Sequence, residues 1–187
     1  MPNLKPLRDY SEHEVVNLFA ISGASLPINK GSIVRIATGW HSALAPQLMA
    51  GTIGQVVANT VSQRWNVQAL ASVINNTGGG DAFGITLLDV RETDENSNQL
   101  IYQPQSQWER SCVLSGQACP ILTRGIVHYS GVDGNPAGGA KLYVTGGNGT
   151  IANGLTTFVV PGDNAVARAL GPKDSQGFVL VKFDFTN

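Results

Sequence analysis

Residues 125–187 read GIVHYSGVDGNPAGGAKLYVTGGNGTIANGLTTFVVPGDNAVARALGPKDSQGFVLVKFDFTN. Short apolar runs alternate here with Gly, Asn, Asp and Pro, the composition of strands separated by turns. The predicted strands are Ile121 to Tyr129, Ala140 to Thr145, Thr157 to Val160, Asn164 to Leu170 and Phe178 to Phe185. No catalytic constellation lies among them. A chain that commits its last third to strand and turn chemistry reads as a binding or structural module.

The same pattern continues upstream. VVNLFAI at Val15 to Ile21 has strand propensity and is broken by Ser22-Gly23-Ala24-Ser25. In Gly31 to Ala37, Ile33, Arg35 and Ala37 alternate with Val34 and Ile36, as in a strand with mostly buried surroundings, and Trp40 and His41 close it. Val67 to Ile74 and Phe83 to Val90 are further strands. The glycine-rich segment 75–81 between them is a hairpin or a crossing between sheets. Arg91 to Asn98 is a solvated loop by composition. Residues 42–63 stay undecided, because Ala43 to Met49 has helical composition while Pro46 and the flanking glycines favour a loop or single turn.

Pro2 and Pro6 remove backbone donors and restrict the residues before them, so residues 1–14 are predicted to form an extended N-terminal arm. The fold class is all-β, a β-sandwich or partly open β-barrel. Residues 15–110 form a first β region and 111–187 a second. Whether the two make one domain or two β subdomains meeting near 111–120 is left open. A basic or polar residue, Gly, an Ile-Val strand and a closing Gly recur at Lys30 to Gly39 and Thr123 to Gly131, read as chance similarity between short strands.

Composition excludes several classes. Lys and Arg number 12 against 13 Asp and Glu, for a net charge of −1, so no field gathers nucleic-acid phosphates or an anionic membrane. Charged residues are 13% of the chain, about half the usual share. The opening Met1 to Lys5 lacks the basic and apolar regions of a signal peptide, and no apolar run reaches bilayer length, so cytoplasmic synthesis is expected. On that expectation Asn75-Asn76-Thr77 and Asn148-Gly149-Thr150 are turns rather than glycosylation sites. Cys112 and Cys119 fit no zinc or redox spacing and are expected to be reduced and partly buried.

Chemistry-bearing motifs are correspondingly weak. His13, His41 and His128 lie far apart and belong to no HExxH pair, so neither catalytic nor metal-binding residues are assigned. Gly78-Gly79-Gly80 lacks a following Lys-Ser or Lys-Thr, and Gly146-Gly147-Asn148-Gly149 has no helix pattern after it, so neither cradles phosphate. Asp94 to Asn98 and Asp133-Gly134-Asn135 offer oxygens for calcium but lack the full EF-hand loop. Trp40, Trp65 and Trp108 lie near Arg35, Arg64 and Arg110, and are read as core or interface anchors rather than stacking platforms for bases or sugars. No cofactor is called for.

Two stretches carry a family likeness: DAFGITLLDVRETDEN at 81–96 and SGQACPILTRG at 115–125, together with LKPLRDY at 4–10 and GFVLVKF at 177–183. In these the chain resembles head decoration (cement) proteins of tailed bacteriophages, particularly those of marine and cyanobacterial phages. The resemblance implies a non-enzymatic β-rich protein on the outer surface of an icosahedral head, clamping adjacent major capsid subunits against internal DNA pressure. It also implies a homo-oligomer, dimer or trimer, that binds no nucleic acid or membrane. On this reading the arm docks on the capsid, with Leu4, Leu7 and Tyr10 as apolar anchors and Lys5 and Arg8 pairing with capsid carboxylates. The alternative is an arm packed on its own domain. Two other functions are kept: a head-fibre, tail or host-glycan adsorption protein using exposed Trp and Asn, and a small hydrolase whose residues only the fold brings together.

Overall fold

The computed structural model describes residues 3–11, 13–22, 27–42, 60–62, 67–73, 82–115, 117–144, 155–157 and 165–185; at 22, 37–42, 60–62, 67–73 and 156 the description covers the backbone. The fold is all-β, with one short α-helix among the described residues. Residues 158–160 of the expected strand at Thr157 to Val160, the glycine-rich segments 75–81 and 146–149 and most of 42–63 lie outside the described residues.

The first sheet is built on β11 (Arg124–Tyr129) and β15 (Val179–Asp184), where alternation sends Val127, Tyr129, Val179, Val181 and Phe183 to one face. The two pair antiparallel, with Val127 opposite Val181 and Tyr129 opposite Val179. β14 (Ala167–Ala169), β12 (Lys141–Val144) and β13 (Leu155–Thr156) extend the sheet beyond β15. Its other edge is β1 (Leu4–Pro6), antiparallel to β11, with Leu4 opposite Tyr129.

The second sheet runs β2 (Val15–Val16), β10 (Ile121–Leu122), β7 (Gly84–Thr86), β4 (Ile33–Ser42), β6 (Val67–Val73) and β3 (Ala20–Ser22), with β5 (Thr60–Ser62) also on β6. Most pairs are antiparallel, and β3 joins β6 in parallel. β8 (Asp89–Val90) and β9 (Cys112–Val113) form a separate parallel pair. Between them the chain makes an excursion containing a 3-10 turn at Leu100–Tyr102 and helix α1 (Pro104–Glu109).

Three expected strands are split, and each split marks a change of partner. Ile121 to Tyr129 breaks at Thr123, whose amide and hydroxyl both donate to the Glu14 carbonyl, at 2.8 and 3.0 Å. Here the chain leaves the second sheet as β10 and enters the first as β11. Phe83 to Val90 breaks after Thr86, where the Leu87 amide turns to the Pro120 carbonyl. Val15 to Ile21 divides into β2 and β3 on opposite edges of the second sheet, while the Phe19 carbonyl accepts the Cys119 amide.

One apolar cluster lies between the sheets. Leu4, Val127, Tyr129, Leu142, Val181 and Phe183 of the first sheet meet Ile33, Ile85 and Leu122 of the second. The opposite face of the second sheet is also covered, since Val34 and Ile121 pack with Phe19, Ile28, Val90 and Cys119. Segments on both sides of residue 110 share both sheets and both clusters. The second sheet is therefore an inner layer locally, whereas the first keeps one face open.

The N-terminal strand belongs to this core. Leu4 is fully buried, and Asn3 and Ser130 are joined through both backbone amides and the Ser130 hydroxyl. Tyr129, buried beside Leu4, donates its hydroxyl to the Gly31 carbonyl at 3.0 Å. Gly31 has φ of 88°, and a Cβ there would come within 3.2 Å of the Tyr129 ring and 3.3 Å of Leu4. Only glycine fits both the left-handed backbone and this approach.

Two stability predictions follow from the buried strand and tyrosine. Leu4→Ala should cost about 2–5 kcal/mol in chemical denaturation, whereas Leu7→Ala, at an exposed position, should stay within about 0.5 kcal/mol. Tyr129→Phe leaves the buried Gly31 carbonyl without that donor and should cost about 1–3 kcal/mol in the same assay.

Candidate interaction surfaces

The five N-terminal residues expected to contact a capsid are not presented together. Leu4 is enclosed in the protein's own core and cannot anchor a partner, which corrects that expectation. Tyr10 is likewise turned inward: its hydroxyl donates to the Ile126 carbonyl at 2.8 Å and its ring lies against Gly125, where a Cβ would come within 3.0 Å. Burial raises its hydroxyl pKa. Lys5 sits 4.2 Å from the Phe178 ring centroid and donates to the Gln176 side-chain oxygen at 3.0 Å. Arg8 pairs with Glu14, whose carboxyl is held below its usual range chiefly by the Ser11 amide. Leu7 is the only apolar member left on the surface, 49% exposed. Local partners thus satisfy most of this segment.

The excursion between β8 and β9 presents a different surface. The Leu100 amide donates to the Glu92 carbonyl, and Leu100, Cys112 and Leu114 form a small cluster beneath the excursion. The Asp94 carboxylate closes the 94–98 turn by accepting from the Asn96 and Asn98 amides, each at 2.8 Å, and from the Asn98 side-chain amide at 3.0 Å. The Asn98 side-chain bond foremost holds this carboxyl below its usual range. Glu95 pairs with Arg110 at 2.6 Å, which lowers the Glu95 carboxyl and links the turn to the end of α1. Gln107 donates to Gln117 at 2.9 Å, tying the helix to the chain beyond β9.

Pro104 starts α1 where a missing amide hydrogen is harmless, a cue in the sequence that could have located this helix. No α1 residue is buried, and Trp108 is 85% exposed, with Tyr102 at 66% beside the helix start. A large indole left in water on a tethered excursion is the side-chain type that anchors protein interfaces. The exposure of Trp108 removes the core half of the expectation that it serves as a core or interface anchor. The side chain of Trp40 and all of Trp65 lie outside the described residues.

The sites considered for chemistry stay dispersed. His13 is exposed in a turn and His128 is half-buried on β11. Among the described residues no three His, Cys, Asp or Glu side chains group as metal ligands, and no helix is long and apolar enough to cross a membrane. The Asp94 oxygens considered for calcium are engaged by the turn's own amides. Asp133 and Asn135 are exposed, and the Asn135 side chain accepts from the Lys173 amide.

Both cysteines are free and buried. Burial pushes the Cys119 thiol up to about 12 and raises Cys112 as well.

Compared with known protein families and with curated proteins, the chain matches neither a family nor an individual protein.

The thiols yield a pH prediction. At pH 8 Cys119 should react with a thiol reagent at least a hundredfold more slowly in the native protein than in denaturant. Between pH 9, where an ordinary thiol ionises, and about 12 the unfolded chain loses this proton first. Stability measured by denaturant midpoint should therefore fall as pH rises through that window, and less steeply in Cys119→Ala.

Proposed function

We propose that this chain is a capsid decoration protein: a β-sandwich that binds the outer surface of an icosahedral phage head as a homo-oligomer and ties neighbouring major capsid subunits together. The observation that carries the reading is Trp108, exposed together with Tyr102 on an excursion held by the Asp94 turn, the Glu95–Arg110 pair and the Gln107–Gln117 bond. The excursion begins within the first of the two stretches, 81–96 and 115–125, that carry the resemblance to head decoration proteins, and α1 lies between them. Those stretches supply β7, β8 and β10, the framework from which the aromatic surface projects.

The mechanism is mechanical. An exposed aromatic seated in a capsid pocket gives each copy a modest contact, and repetition across a lattice multiplies it as avidity. The packed two-sheet core transmits load because its strands cannot slip one residue without turning their buried side chains to solvent. On this reading the aromatic contact comes from the excursion rather than from Leu4 and Tyr10 of the N-terminal segment.

A second reading, a virion adsorption protein for a host glycan, rests on the same exposed indole, since aromatic faces also stack on sugar rings. A glycan array separates the two.

Purified protein should co-sediment saturably with phage heads lacking it and raise the temperature at which those heads release DNA. Trp108→Ala should weaken binding at least tenfold while leaving the melting temperature of the free protein within about 2 °C, as expected for an exposed hot-spot residue. Absence of binding to every head form, with specific capture on a glycan array, would replace this reading with the adsorption one.

A further inference from the structure

The open face of the first sheet carries an arrangement of charge that the fold does not need. Lys141 on β12 lies opposite Arg168 on β14, and Arg168 lies opposite Lys182 on β15. Ile126 on β11 completes that row opposite Lys182. All three cations are exposed, and among the described residues none has an ion pair or a side-chain hydrogen bond. Directly opposed residues stand about 5 Å apart, where like charges destabilise a sheet. Three successive strands place a cation at the same level.

The surrounding positions extend the same sign. Arg124 faces outward opposite Asp184, and Lys5 lies opposite His128 in the row that includes Leu180. Among the described residues, Lys5, Arg124, Lys141, Arg168 and Lys182 thus share one face of this sheet's strands with a single carboxylate, Asp184. For a chain whose net charge is −1, the rest of the molecule is correspondingly negative. A local rule broken on an exposed face, without a compensating internal partner, is where binding is to be sought.

We propose that this face is a second docking surface, and that its occupant is a carboxylate-bearing patch on the major capsid protein, with the Lys141–Arg168–Lys182 row as its centre. The inference rests on the decoration reading and adds the face and chemistry of a second contact. A clamp between neighbouring subunits needs two contact surfaces, and the excursion supplies one. Charge complementarity selects an anionic partner. The half-buried Ile126 and Leu180 and the exposed Leu170 among the cations suit a protein surface, which is itself largely apolar in area, better than a phosphate backbone. The net negative remainder of the molecule also opposes a long polyphosphate.

The test is co-sedimentation with nuclease-emptied heads lacking this protein, in low salt, using wild type, K141Q/R168Q/K182Q and the off-face control Lys30→Gln. The triple variant should bind at least tenfold more weakly, its affinity should depend less on salt, and Lys30→Gln should match wild type. Because the substitutions relieve repulsion, the triple variant should melt at or above the wild-type temperature, which separates lost binding from lost folding. Binding by wild type with no loss in the triple variant would overturn the basic face and leave the decoration reading standing. No binding by wild type would overturn both. Wild-type binding to free duplex DNA as tight as to emptied heads would overturn the carboxylate partner.

Discussion

The hydroxyl of Tyr129 and the carbonyl of Gly31 meet at 3.0 Å in a fully buried position, and this bond joins the two sheets at one level. Tyr129 belongs to β11, whereas Gly31 immediately precedes the segment entering β4. The ring can stand there because Gly31 has no Cβ, and Leu4 fills the space beside it. Phe183 meets the same ring edge-on at 5.8 Å. A buried carbonyl and a buried hydroxyl each need a partner, so the bond ties the level of β11 to that of β4. β1 is held against β11 by the same packing, which is why the N-terminal strand is a structural part of the molecule.

From that junction the two sheets acquire unequal surroundings. Thr123 turns the chain from β10 to β11 by donating twice to Glu14, so one continuous apolar run serves both sheets. The second sheet receives Phe19, Ile28, Val90 and Cys119 on its other face at Val34 and Ile121, while Ile36 farther along β4 is exposed. The first sheet is covered on one side only. Its inner face is apolar at nearly every position, and its outer face carries Lys5, Arg124, Lys141, Arg168 and Lys182.

The excursion around α1 and the outer face of the first sheet differ in physical character. The excursion offers a large aromatic, whose burial by a partner releases water from apolar surface. The sheet face offers charge, which orients and speeds encounter and weakens with salt. Between them lies a core of interlocked side chains that deforms little under load. The burial that raises the Cys119 and Cys112 thiols keeps them as packing groups.

The sequence by itself determined the all-β class, because alternation in GIVHY and VLVKF and the glycine-rich breaks between runs are local properties that need no partner to be read. It also located most strands. It did not locate α1, since Pro104 is an isolated cue and the six-residue helix has no apolar stripe. Tertiary structure alone decided what each exposed or buried face meets. Leu4 and Leu7 look alike in the sequence, yet one lies under Tyr129 and the other in water, because strand pairing and close packing depend on residues more than a hundred positions away. The same is true of Lys141, Arg168 and Lys182. Separated along the chain, they become neighbours only when β12, β14 and β15 pair, and like charges separated in sequence carry no signal until backbone hydrogen bonds set them side by side.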